Sequence, residues 1–117
     1  MKTVAVIGGG AAGLMAAYAA SRNTEQQVLL FERQARVGRK LLATGNGRCN
    51  LANRNAGVPH YHGEDPAFVR FALETLSVEQ TLALFRELGL LTVEAEGGRM
   101  YPLSDSANSV LDVLRFA

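Results

Sequence analysis

Two short, unbroken apolar runs, separated by a glycine cluster and an alanine-rich stretch, organise the first part of the chain. Val4-Ala-Val-Ile7 is continuous and β-branched, which predicts a strand buried in a parallel sheet. Gly8-Gly-Gly10 interrupts it. Ala11 to about Ser21 then reads as a helix, rich in alanine and carrying Leu14, Met15 and Tyr18. Arg22 to Gln27 is polar and predicts a loop, and Val28-Leu-Leu-Phe31 predicts a second buried strand closed by Glu32. Strand, helix and strand in this order form a β-α-β unit whose crossover should be right-handed.

The pattern then becomes less regular. Turn signals at Val37-Gly38 and Thr44-Gly-Asn-Gly47 flank Arg39 to Ala43, a candidate helical turn, and Asn53 to Gly63 reads as loop. Pro66 suits a first helical position after Asp65, with Phe68, Phe71, Ala72 and Leu76 at helical spacing. Ser77-Val-Glu-Gln80 matches a capping box and opens a stripe of Val78, Leu82, Phe85 and Leu88 that stops at Gly89. These phenylalanine and leucine stripes are expected in the core. Leu90 to Val93 and Arg99 to Tyr101, flanking Glu96-Gly-Gly98, predict a hairpin that Pro102 ends. Ser104 or Ser106 is placed to cap a last helix with Val110, Leu111 and Leu114 on one side. No third strand able to lie parallel beside the first is evident. The fold class is therefore α/β: a Rossmann-like β-α-β unit followed by helices and a small hairpin, an incomplete domain over 1–117. Exposed strand edges favour a homo-oligomer or an exchange of elements between copies.

Composition changes this picture little. With 48% hydrophobic and 20% charged residues, the chain is neither disordered nor low-complexity. No leader pattern opens it and no apolar run approaches the roughly 18 residues a membrane span needs. Its one cysteine, Cys49, rules out an internal disulfide and fits a reducing cytoplasm. Net charge is +1, but Arg33, Arg36, Arg39, Lys40, Arg48 and Arg54 fall in a stretch without an acid, able to attract phosphate or an anionic substrate. No aromatic residue interleaves this basic run, which argues against nucleic acid as its partner. His60 and His62 form an H-x-H without further ligands at convincing spacing, so a surface loop is expected there and no metal.

Gly8-Gly9-Gly10-Ala11-Ala12-Gly13 satisfies G-x-G-x-x-G in the context its chemistry requires, between a strand and a helix, with Glu32 ending the next strand. Gly8 allows the tight turn, Gly10 lets backbone approach a pyrophosphate, and Ala12 and Gly13 let the helix pack near the strand. The free amides of Ala11, Ala12 and Gly13 then face the phosphate, aided by the helix dipole. Glu32 is suited to accept ribose hydroxyls, and an acid there disfavours a 2′-phosphate. Spacing alone does not separate FAD from NAD.

Val4 to Ala17 resembles the opening of flavoproteins with two dinucleotide-binding domains. Gly38-Arg-Lys-Leu-Leu-Ala-Thr-Gly-Asn-Gly-Arg-Cys-Asn50 is more specific. It resembles the signature of bacterial NAD(P)/FAD-dependent oxidoreductases, the HI0933-like flavoproteins, some of them labelled aminoacetone oxidase or bile-acid flavin reductase. Gly98-Arg-Met-Tyr-Pro-Leu-Ser-Asp105 is similar to a further block of that family. The resemblance implies non-covalent FAD and a longer parent enzyme with an inserted substrate domain. The glycine loop, Glu32 and the neighbouring Arg33 would hold the ADP moiety, and the segment from Arg39 to Asn50 would lie along the pyrophosphate and the flavin. In that segment Arg39, Lys40 and Arg48 are suited to neutralise phosphate charge, Thr44, Asn46 and Asn50 offer short polar groups, and Gly45 and Gly47 permit close backbone approach. Cys49 lacks a partner for disulfide redox chemistry and is expected to be structural or flavin-adjacent.

The expected activity is hydride transfer between NAD(P)H or a small organic substrate and FAD, in the cytoplasm and without a membrane partner. No catalytic acid or base stands out. An NAD-dependent dehydrogenase and a non-catalytic nucleotide-binding or assembly module remain the alternatives.

Overall fold

The computed structural model describes all residues from Met1 to Ala117. Strand β1 (Lys2–Ile7) pairs in parallel with β2 (Gln26–Phe31), with Val4 opposite Val28 and Ile7 opposite Phe31. Helix α1 (Ala11–Ser21) crosses between them and packs on one face of the pair through Leu14. β2 begins two residues earlier than its apolar run, because Gln26 and Gln27 are drawn into register beside Lys2 and Thr3. The parallel sheet stops at two strands.

A short helix α2 (Arg39–Ala43) follows and leads through a 3-10 turn at Thr44–Gly47 into β3 (Ala52–Asn53). β3 lies where a loop is expected. It pairs with β5 (Arg99–Pro102), which also pairs with β4 (Thr92–Glu94), giving an antiparallel sheet in the order β3-β5-β4. The predicted hairpin is thus the core of a three-stranded sheet. α3 (Arg70–Thr75) and α4 (Val78–Glu87) follow in the chain, α4 packing against β3, and α5 (Ala107–Arg115) closes the fold.

Capping explains two of these helices. The hydroxyl of Ser77 accepts from the Gln80 amide at 3.2 Å while Gln80 accepts from the Ser77 amide at 2.8 Å, the reciprocal box the sequence predicts. Ser106, rather than Ser104, caps α5 by accepting from the Asn108 amide. Both helices are amphipathic. Phe85 of α4 and Val110, Leu111 and Leu114 of α5 are buried, with Leu14, Leu41 and Cys49, in one cluster, and Leu82 of α4 is buried outside it. α5 packs against α2 and α1, so it bolts the β-α-β unit to the segment after it. A Cβ on Gly38 would stand 2.4 Å from Leu111, so only glycine admits this approach, and its φ of 73° is also a glycine conformation.

Two core expectations fail. Phe68 and Phe71 are 76% and 78% exposed, and Leu76 is also exposed. Pro66–Val69 forms a 3-10 turn before α3, which breaks the single helical stripe, and only Val69 of that stretch is buried. The two strands expected to be buried are not: no residue of β1 or β2 is fully buried, and Ile7, Leu29 and Phe31, on the face of the two-stranded pair away from α1, are exposed because nothing covers that face. No helix is long and apolar enough to cross a membrane.

Candidate nucleotide site

The turn from β1 into α1 is held by backbone on every side but one. Gly8 donates to the Phe31 carbonyl at 2.7 Å, and the Gly9 carbonyl accepts from Gly38 at 2.6 Å. Gly9 itself is buried against Val37 and Leu30. A Cβ at Gly13 would lie 1.8 Å from the Gly8 carbonyl oxygen, so the helix runs against the strand at a distance only glycine allows. Gly10, in contrast, opens outward, with nothing within 4 Å of where its Cβ would be. The amides of Ala11, Ala12 and Gly13 precede the first bond of the helix, from Leu14 to the Gly10 carbonyl at 2.9 Å. No side chain caps them and the first turn carries no acid. Orphan donors at a dipole's positive end, with open space before them, suit an anion.

Glu32 is turned toward this loop. One carboxylate oxygen accepts from the Gly9 amide and the other from the Gln34 amide, each at 3.1 Å. The Gln34 bond, then the Gly9 bond, holds its carboxyl below the usual carboxylate value. It is therefore ionised at neutral pH, and each oxygen keeps a lone pair for a hydroxyl donor.

The second candidate segment reaches the same place. A mostly apolar cleft of about 490 Å³, with Met15, Leu51 and Phe85 in its lining, brings Gly10 and Ala11 together with Lys40, Thr44, Cys49 and Asn50; Glu32 does not line it. Lys40 makes no ion pair, so its charge is free to meet an anion. Burial pushes the Cys49 thiol above its ordinary value, opposed by a hydrogen bond with Thr44. That makes Cys49 a neutral, inert thiol at neutral pH.

Other predicted residues lie elsewhere. Arg33 and Arg39 do not line this cleft; Arg39 donates to the Gln34 side chain at 3.1 Å beside a separate shallow depression. Gly45, Asn46 and Gly47 form the outer bend of the segment. Arg48 has its charge met by a partner within the chain, at the surface: its Nε donates to Asp105 at 2.5 Å and its guanidinium lies 4.0 Å over the Tyr101 ring. Arg54 is likewise a strut, pairing with Glu94 at 2.9 Å and with Glu79. His60 lies in an exposed polar depression with Asn53, Asn55, Tyr61 and Arg99.

Sequence reasoning placed Gly9 and Gly38 inside its motifs without giving either a role of its own, and gave none to Tyr101 or Asp105. The last two stand in the block Gly98 to Asp105, and that block was the available signal.

Comparison with known proteins identifies the family. The model of the HI0933-like protein Rossmann domain matches residues 2–117. The chain is 48% identical over 115 residues to a 3-dehydro-bile acid delta(4,6)-reductase of Clostridium scindens, covering 97% of this chain and 28% of the relative. It is 32% identical over 110 residues to a ribosomal RNA dihydrouridine synthase of Haemophilus influenzae, covering 94% of this chain and 27% of the relative. The protein of the same description from Escherichia coli is 31% identical over 109 residues, with coverage of 93% and 27%. The chain thus spans little more than a quarter of the length of these relatives.

Proposed function

The chain belongs to the HI0933-like Rossmann-domain family, and from that premise we propose that it is the part of a flavin-dependent oxidoreductase that holds the ADP moiety of FAD. The observation that carries the reading is the uncapped first turn of α1, open at Gly10, with an ionised Glu32 bound into the same loop.

The residues present fit the group. The amides of Ala11, Ala12 and Gly13 would meet the diphosphate, and Lys40, across the cleft, would balance its charge. Glu32 would accept from the ribose hydroxyls while its other lone pairs keep the turn in shape. Thr44 and Asn50 would offer polar contacts further along the cleft, beside the small, neutral Cys49. What FAD supplies when bound is two-electron chemistry, taking hydride from NAD(P)H or an organic substrate and passing it on. The similarity to a protein named as a reductase supports that direction. The chain's own residues bind and orient; none of them is assigned a proton-transfer role. A free cysteine fits a cytoplasmic setting.

The test is titration of the purified chain with FAD and with NAD, following quenching of flavin fluorescence and the visible flavin band. Saturable FAD binding that ADP competes away supports the reading. Binding of NAD but not FAD would replace it with a nicotinamide-dependent dehydrogenase.

A further inference from the structure

Resting on that cofactor reading, we propose that Asp105 and Tyr101 are positioning residues: they grip Arg48 and so hold Thr44 to Asn50 in the shape that walls the cofactor cleft.

The segment needs an external hold. Gly45 and Asn46 take consecutive left-handed conformations, with φ of 57° and 56°, and Gly47 and Cys49 follow at 84° and 57°. Left-handed backbone is disfavoured for residues with a Cβ, and persists where the surroundings over-determine it. Internal bonds hold part of the bend, from Arg48 to the Gly45 carbonyl at 3.2 Å and from Cys49 to the Thr44 carbonyl at 3.0 Å.

Apart from the Thr44 hydroxyl, which donates to the Leu41 carbonyl at 2.6 Å, the remaining polar attachments come from β5 and the turn after it. Asp105 takes the Arg48 Nε, the Tyr101 ring lies under the guanidinium, and the Met100 carbonyl accepts from Leu51 at 2.8 Å. Tyr101 also backs the bend directly, its ring edge 3.4 Å from where a Cβ on Gly45 would stand. Asp105 is itself fixed, left-handed at φ 61° with its amide bonded to the Pro102 carbonyl at 2.9 Å. Arg48 lies between Gly47 and Cys49, so a grip on its side chain acts on the strained residues on either side of it.

Because Thr44, Cys49 and Asn50 line the cleft, relaxing the bend moves the wall of the site. The Arg48 and Asp105 side chains are 43% and 63% exposed, and so open a pair adds little to global stability. Its effect is therefore local, on the loop and on what the loop holds.

Asp105→Asn tests this cleanly, since asparagine tolerates the left-handed conformation while the charge is lost. Arg48→Lys keeps the charge but loses the planar fork that stacks on Tyr101. In the 117-residue chain, Asp105→Asn is expected to speed amide exchange at Arg48, Cys49 and Leu51 by about two- to fivefold, the scale of an exposed ion pair, with the global unfolding midpoint unchanged. FAD affinity should fall by a factor of the same size, about two- to fivefold, and the visible circular dichroism of bound flavin should change. Arg48→Lys should fall between the two. Unchanged exchange in Asp105→Asn would overturn the grip, and faster exchange with unaltered affinity and dichroism would overturn its role in positioning. If the unsubstituted chain binds no FAD while exchange still responds, the grip stands and the cofactor reading fails.

Discussion

Glu32 and Gly9, separated by 23 positions, meet through a hydrogen bond of 3.1 Å from the Gly9 amide to the Glu32 carboxylate. The acid that ends one strand is therefore built into the turn that ends the other. This has a pH consequence. The folded carboxyl is held below its ordinary value of 4.5, so its contribution to stability is present above that value. The contribution is lost as pH falls through the lowered folded value. Glu32→Gln should abolish this acid-side dependence and weaken FAD binding by about tenfold or more, as expected for loss of a hydrogen bond to a charged group. Unfolding midpoints between pH 3 and 7, on the scale of ordinary carboxylate titration, together with FAD titration, check both.

Gly13 and Gly10 separate folding from binding. Gly13→Ala sets a methyl against the Gly8 carbonyl, backbone against which nothing flexible can yield. It should destabilise the chain by about 3 kcal/mol in urea unfolding, the upper end for overpacking. Gly10→Ala meets only open space at an ordinary φ of −82°. It should leave stability within ~1 kcal/mol but weaken FAD binding, because the methyl occupies the opening a diphosphate would enter.

Leu111 is fully buried, and its side chain abuts Gly38 at the junction of α5 with α2. Leu111→Ala should cost about 2–5 kcal/mol, read from the shift in urea midpoint at constant slope. A cost under ~1 kcal/mol would mean that the junction is not packed as described.

Phe68 and Phe71 make the opposite case. Both are exposed, so Phe68→Ser with Phe71→Ser should leave stability within about 1 kcal/mol, twice the usual limit for one surface change. Light scattering at rising protein concentration should fall, since exposed apolar surface promotes association.

Cys49 should react slowly with a thiol reagent at neutral pH in the folded chain and rapidly after unfolding. Burial raises its folded value above the ordinary 9.0, so the stability linked to the neutral thiol is fully present below 9.0. That stability is lost as pH rises through the raised folded value. Labelling rates against pH, with and without urea, give the measurement.

The elements of this chain were legible because their signals are local. Apolar runs, the Ser77 to Gln80 box, the glycine cluster and the stop at Gly89 each act within a few residues. The geometry of the glycine turn was legible for the same reason, since turn, helix tip and acid sit on one β-α-β unit. Two readings failed where distance in the chain intervened. Phe68 and Phe71 have helical spacing, but Pro66 starts a 3-10 turn and no partner element comes over them. Arg48 reads as a phosphate ligand in sequence, yet Asp105, 57 residues away, takes its charge.

The sequence by itself determined the β-α-β order, the caps and the open, uncapped character of the glycine loop, because these follow from backbone preferences and side-chain periods over short spans. Tertiary structure alone decided that Gly38 docks on Gly9, that β5 backs the bend from Thr44 to Asn50, and that the two candidate segments face one another across a cleft. Those contacts join residues far apart in the chain. Which of them form depends on how whole helices and sheets pack, and no local pattern of residues records that choice.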